Sequence, residues 1–130
     1  MTGEVRSSVR PGEKLRGVKR VLGACGNSFG GFLGAWREEA AFRQECVLAL
    51  ILIPAALWFG HNGIARALLV GSVLQILIVE LLNSAVEAAI DRIGAERHAL
   101  SGLAKDLGSA AVFASFVLLV ATWALVLLDA

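Results

Sequence analysis

Charged residues are scarce in this chain of 130 residues, since Asp, Glu, Lys and Arg make up 18% of it, against about 25% in soluble domains. Cysteine is scarce as well. Cys25 and Cys46 show neither CxxC nor zinc-site spacing, so both are interpreted as reduced packing residues. The N-terminal region is polar and basic without a long apolar run, and we expect no cleavable signal peptide. With 57% hydrophobic residues, the composition predicts an integral membrane protein.

Three apolar stretches predict three transmembrane helices, at about residues 44–59, 64–91 and 106–128. An α-helix needs about 20 residues to cross a bilayer core of about 30 Å, and the preceding AAFRQE segment extends the short first stretch. Basic residues concentrate before this first stretch and in the polar connection 92–105. The positive-inside rule therefore places the N-terminus and this second loop in the cytoplasm, and the C-terminus in the periplasm.

A basic amphipathic segment precedes the apolar stretches. Between about residues 13 and 43, apolar side chains recur at helical spacing among Lys and Arg, which predicts a helix lying on an anionic membrane surface. The alternative is a solvated basic segment that only sets the topology. The glycine-rich GNSFGGFLG stretch lacks the GK[ST] ending of a phosphate-binding loop. Residues 1–12 are predicted to be a disordered tail, and the predicted fold class is an all-α membrane protein.

Four polar residues interrupt the second apolar stretch on one helical face. At about 100° per residue, Glu80, Asn83, Glu87 and Asp91 fall within roughly 80° of one another. A carboxylate that faces lipid costs several kcal/mol, so these side chains are expected to face protein or a polar cavity. They predict a metal or proton site at membrane depth. For Asn83 the alternative is a polar contact between packed helices, and a small proton-coupled transporter is the alternative function for the acids.

Other charged residues carry weaker signals. Glu38 and Glu39, beside Trp36, are interpreted as a solvated patch at the membrane interface. A carboxylate at this depth could instead complete a magnesium site with Glu87. The pair Lys105 and Asp106 reads as a helix-flanking charge pair, and His98 as an ordinary loop histidine.

Three segments resemble the prokaryotic diacylglycerol kinase family, in particular its proteobacterial type. They are EAAFRQE at 39–45, VELLNSAVEAAIDRIGAERH at 79–98 and LSGLAKDLGSAAV at 100–112. The resemblance implies a homotrimeric kinase of the bacterial inner membrane, formed by residues 13–130. It further implies transfer of the γ-phosphate of MgATP to the primary hydroxyl of diacylglycerol, with Mg²⁺ as cofactor and no nucleic-acid partner. An undecaprenol kinase of the same family is the alternative.

The resemblance also implies a role for individual residues. Glu80 matches the catalytic base, with Asn83 beside it, and Glu39 and Glu87 match the carboxylates that bind the metal. The implied nucleotide contacts are Arg20, Asn27, Glu39, Glu87, Glu96, Arg97, His98, Lys105 and Asp106. The implied lipid contacts are Glu80, Ser109, Arg43 and Trp36.

The N-terminal segment departs from the family pattern. Where relatives have an aromatic-rich stretch, this chain has NSFGG, with Asn27 in place of a tyrosine and Gly30 in place of a lysine. Three transmembrane helices are also too few to enclose the polar face of the second one. We therefore expect an oligomer on energetic grounds, in which a neighbouring chain supplies Glu39.

Overall fold

The computed structural model describes residues 13–94, 96 and 98–130, and these form four α-helices. They are α1 (Glu13–Glu38), α2 (Ala40–Phe59), α3 (Gly63–Ile93) and α4 (Ala99–Leu128). The predicted tail 1–12 lies outside the described residues. The chain divides into two compact units, residues 1–34 and 35–130. In the first unit α1 exposes apolar Val18, Val21 and Leu22 together with basic Lys19 and Arg20.

Within the described part of the chain, α2, α3 and α4 are the three helices long and apolar enough to cross a membrane. The predicted all-α class and its three membrane-capable helices are therefore confirmed. The helix α4 begins at Ala99, about two turns before the predicted start at residue 106, so Lys105 and Asp106 lie inside the helix. The helix α3 has 31 residues and is about 46 Å long at 1.5 Å per residue, which exceeds the thickness of a bilayer core.

The helix α3 packs against both α2 and α4. The buried core consists of Ala49 from α2, Val73 and Ile76 from α3, and Leu119 from α4. Larger apolar side chains surround it: Leu52, Ile53, Leu77, Phe116 and Trp123. Lipid is as apolar as these side chains, so close van der Waals packing between helices supplies much of the stabilisation.

Polar side chains add direct hydrogen bonds between α3 and α4. The Trp123 indole Nε1 donates to Ser72 Oγ at 3.1 Å, and the Gln75 amide Nε2 donates to the Ser115 carbonyl oxygen at 2.8 Å. Both serines are buried. Hydrogen bonds of this kind across membrane helices contribute about 0.6 kcal/mol each on average, and here they fix the register of α4 along α3.

The turn between α2 and α3 is built around Gly60. Its backbone N–H donates to the Ala56 carbonyl at 3.0 Å, and Arg66 Nε donates to the Gly60 carbonyl at 3.0 Å. Asn62 caps α3 by accepting the Ala65 N–H at 2.8 Å. A Cβ atom added at Gly60 would overlap the Arg66 side chain and would stand 2.8 Å from the Ala56 carbonyl oxygen.

Gly60→Ala is therefore expected to lower the stability of the fold by about 1–3 kcal/mol, as overpacking does in a tightly packed interior. The measurement is thermal unfolding of the protein in detergent micelles. The matched control is Gly63→Ala, because an added Cβ there meets no atom of the described residues within 4 Å. Equal unfolding temperatures for the two variants would contradict this account of the turn.

Candidate active site

The polar face of α3 runs from a buried to an exposed end. Glu80 is 5% exposed, Asn83 and Glu87 are half-buried, and Asp91 is exposed. Asp91 follows Glu80 by eleven positions, which corresponds to about 16 Å along the helix. The helix α3 thus has acidic side chains both in the protein interior and at the surface.

Two other carboxylates stand near Glu80. Glu39, at the start of α2, and Glu87, two turns further along α3, both lie close enough to Glu80 to repel its negative charge. Glu39 is the residue between α1 and α2. Its backbone is extended (φ −112°, ψ 108°), and the helix is interrupted at this point. The negative charges of these three acids repel one another, and a cation bound nearby would offset that repulsion.

The donor chemistry of these acids suits magnesium. No three His, Cys, Asp or Glu side chains of the described residues are grouped as a set of metal ligands. Magnesium in nucleotide sites needs only one or two protein carboxylates, because water and phosphate oxygens complete its six positions. The pair Glu39 and Glu87 fits that requirement.

Glu45 of α2 is a site residue that the sequence reasoning missed. It is 7% exposed, and its Oε2 has no hydrogen-bond partner among the described residues. A cavity of about 440 Å³ lies beside it, lined by Ala41, Gln44, Glu45, Leu48, Glu80, Val112 and Phe116. The signal was available, because Phe42, Glu45 and Ala49 share helical spacing and form the buried face of α2.

This first cavity has two chemically different parts. Glu45 and Glu80 present carboxyl groups, whereas Leu48, Val112 and Phe116 form an apolar wall. A ligand that suits such a cavity combines a hydrogen-bonding group with a hydrocarbon portion. The buried carboxyl groups are placed to accept a proton or a hydrogen bond from the polar group.

A second, polar cavity of about 370 Å³ lies at the exposed end of α3. It is lined by Ile90, Asp91, Gly94, Glu96, His98, Ser101, Gly102 and Lys105. Lys105 Nζ forms an ion pair with Asp91 Oδ1 at 2.9 Å, and both side chains are largely exposed (45% and 68%). Lys105 is also within electrostatic reach of Glu87. His98 has a structural part as well, because its Nδ1 accepts the Leu100 N–H at 3.1 Å and caps α4.

The structure thus brings several predicted residues together and leaves others apart. Glu96, His98 and Lys105 line one cavity, while Asp106 and Ser109 are exposed on α4. Arg97 lies outside the described residues. Arg20 and Asn27 belong to the first unit and are exposed.

Arg43 and Trp36, both predicted lipid contacts, meet at the junction of α1 and α2. Arg43 Nη1 donates to the carbonyl oxygens of Trp36 at 2.8 Å and Arg37 at 3.1 Å. These carbonyls belong to the last turn of α1, where backbone acceptors have no partner within the helix. The Arg43 guanidinium therefore has a structural function in this chain. The Trp36 ring is half-exposed.

Three helices can cross a membrane, and buried carboxylates lie between them. A polar cavity lined by Lys105 lies at one end. These features define an integral membrane protein with a polar site between its helices. The family model of prokaryotic diacylglycerol kinase matches residues 26–127. The chain belongs to this family, as the sequence predicted.

Relatives match over nearly their whole length. The diacylglycerol kinase of Escherichia coli K12 is 50% identical over 111 residues, which cover 85% of this chain and 91% of the relative. That of Pseudomonas aeruginosa is 50% identical over 121 residues, covering 93% and 98%. That of Haemophilus influenzae is 46% identical over 110 residues, covering 85% and 93%.

Proposed function

We propose that this protein is an ATP-dependent diacylglycerol kinase, which transfers the γ-phosphoryl group of MgATP to the primary hydroxyl of diacylglycerol and forms phosphatidic acid. The observation that carries the proposal is the buried Glu80 carboxylate, which faces a cavity with an apolar wall in a chain of this family. A lipid alcohol matches that cavity because its hydroxyl meets the carboxylates while its hydrocarbon portion meets Leu48, Val112 and Phe116. The proton-coupled transporter is not supported, since the family is one of kinases.

In the proposed reaction Glu80 is the general base. The hydroxyl oxygen of the lipid attacks the γ-phosphorus, and the bond between this phosphorus and the β,γ-bridging oxygen breaks to release ADP. The hydroxyl proton passes to Glu80, whose burial in a cavity lined by apolar groups limits competition from water. Asn83, one turn along α3, and Glu45 across the cavity are placed to orient the Glu80 side chain.

The nucleotide is proposed to bind at the exposed end of α3. Phosphoryl transfer requires mainly positioning and neutralisation of charge on the transferred group, and Lys105 is the cation that lines the second cavity. Glu96 and His98 line the same cavity. Family resemblance adds Arg20, Asn27, Arg97 and Asp106 as nucleotide contacts, and Ser109, Arg43 and Trp36 as lipid contacts.

Glu39 and Glu87 are proposed to hold the magnesium ion. When bound, the ion neutralises phosphate oxygens and orients the polyphosphate. On α3, Glu87 lies between Glu80 and the second cavity, since it follows Glu80 by two turns and precedes Asp91 by one. Glu39, at the start of α2, lies near the same stretch of α3. The proposed base Glu80, the proposed ligand Glu87 and Asp91, which pairs with Lys105 of α4, thus follow one another along α3.

We further propose a homotrimer in the bacterial inner membrane, with the N-terminus and the second loop in the cytoplasm. Basic residues cluster on those two segments, which supports this orientation. The α3 face that bears Glu87 and Asp91 is only partly covered within one chain, and a neighbouring chain would cover it. In the trimer, the Glu39 that binds the ion together with Glu87 is proposed to come from that neighbouring chain, in place of the Glu39 that lies near Glu80 within the single chain.

The test is an assay of purified protein in detergent with labelled ATP and a panel of lipid alcohols. We expect label in phosphatidic acid when diacylglycerol is offered, and less label with undecaprenol or a ceramide-like alcohol. Preference for undecaprenol would make the protein the other kind of kinase in this family. Failure to label any lipid alcohol, with folded protein, would overturn the proposal.

A further inference from the structure

Gly108 of α4 lies directly against the side chain of Asn83 on α3. A Cβ atom added at Gly108 would overlap Asn83 Oδ1, and all three nearest atoms to that Cβ belong to the Asn83 side chain. Asn83 Oδ1 is itself buried and has no hydrogen-bond partner among the described residues. The amide therefore occupies a gap that only a residue without a side chain leaves on this face of α4.

The position of this amide matters because of its neighbours on α3. Asn83 stands one turn after Glu80 and one turn before Glu87, on the same face. Its side chain therefore lies between the proposed base and a proposed metal ligand. A buried acceptor without a donor is costly in a folded protein, so the fold holds this amide in place at some expense of stability.

The atoms that a Cβ at Gly108 would displace are the end of a side chain, not the backbone of α3. The helices can therefore keep their packing while the Asn83 amide turns away. A change at Gly108 should accordingly affect the geometry of the polar face far more than the fold.

We propose that Gly108 is a positioning residue for phosphoryl transfer: the missing side chain lets the Asn83 amide lie between Glu80 and Glu87. This inference rests on the proposed function. It assigns a role in the reaction to a residue of α4 that carries no functional group.

The first test is Gly108→Ala. We expect kcat to fall by about tenfold to about a hundredfold, because a displacement of about 1 Å in a reacting group has an effect of this size. The KM for MgATP should stay near the wild-type value, because Gly108 lines neither cavity. The matched control is Gly71→Ala in α3, where an added Cβ meets no atom of the described residues within 4 Å. A wild-type kcat for Gly108→Ala would overturn the proposal.

A double-mutant cycle with Asn83→Ala distinguishes positioning from a general structural effect. If Gly108 acts through the amide, the double variant has the same kcat as Asn83→Ala alone. A further loss in the double variant would show that Gly108 acts by another route and would overturn the proposal. The double variant also lacks the overlapping atoms, so it remains informative if Gly108→Ala alone folds poorly.

A spectroscopic readout separates this inference from the proposed function. In ¹⁵N-labelled protein, the side-chain amide resonance of Asn83 should shift in Gly108→Ala and stay unchanged in Gly71→Ala. This result is expected whichever alcohol is phosphorylated, whereas failure of the wild-type protein to phosphorylate any lipid alcohol would count against the function alone. An unshifted Asn83 amide in Gly108→Ala would overturn the inference.

Discussion

Glu80→Gln is expected to abolish phosphorylation of diacylglycerol while leaving MgATP binding intact. The substitution keeps the size of the side chain but removes the group that accepts the hydroxyl proton. General-base catalysis contributes about 10²- to 10⁴-fold to such reactions, so kcat should fall by at least that lower factor. The second cavity, which we assign to the nucleotide, does not include Glu80 in its lining, and binding of MgATP should persist.

The measurement pairs turnover of labelled ATP with equilibrium binding of the nucleotide. Asp129→Asn is the matched control, since it also converts an acid to its amide but at the C-cap of α4, away from the polar face of α3. It should retain wild-type turnover. Near wild-type turnover in Glu80→Gln would show that another group takes the proton, and Glu45, which lines the same cavity, would then be the next residue to change.

Glu87→Gln is expected to weaken the apparent affinity for magnesium by at least about tenfold. Substitution of a residue that only supports a metal ligand lowers the affinity for the metal about 10- to 100-fold. Loss of a charged ligand itself should lower it by no less. The measurement is the magnesium concentration that gives half-maximal turnover at saturating lipid. Glu39→Gln should behave in the same way, because we assign both carboxylates to one ion.

Glu38→Gln provides the matched control for that pair. Glu38 is the adjacent acid and the last residue of α1, and its side chain is exposed. Its removal changes the local charge without removing a proposed ligand. An unchanged magnesium dependence in Glu87→Gln, or an equal weakening in Glu38→Gln, would refute the ligand assignment.

The sequence predicted the three apolar helices because a run of about 20 apolar residues has few other stable solutions. It also predicted the family, because the segments at 39–45 and 79–112 carry an unusual order of polar residues within apolar surroundings. Helical periodicity put Glu80, Asn83 and Glu87 on one face, and all three lie in α3. These features depend only on residues that are close together in the chain.

Features that depend on contact between helices could not be predicted from the sequence. The helical spacing of Glu45 with Phe42 and Ala49 is visible in the sequence, but the position of Glu45 beside Glu80 is visible only when α2 packs on α3. The resemblance implied a lipid contact for Arg43, and the structure adds a second role, because its guanidinium donates to carbonyls at the end of α1. The pairing of Gly108 with Asn83 joins residues 25 positions apart, and no local pattern marks it.

The length of α3 has a consequence for how two unlike substrates meet. At about 46 Å, this helix is longer than a hydrocarbon core of about 30 Å. With its first residues at the far membrane surface, its final turns and the adjacent Lys105 would stand in water while Glu80 would lie within the hydrocarbon. A water-soluble phosphate donor and an oil-soluble acceptor could therefore react without either one leaving its own phase. Only the phosphoryl group would cross the boundary between water and hydrocarbon, over a distance of a few turns of α3.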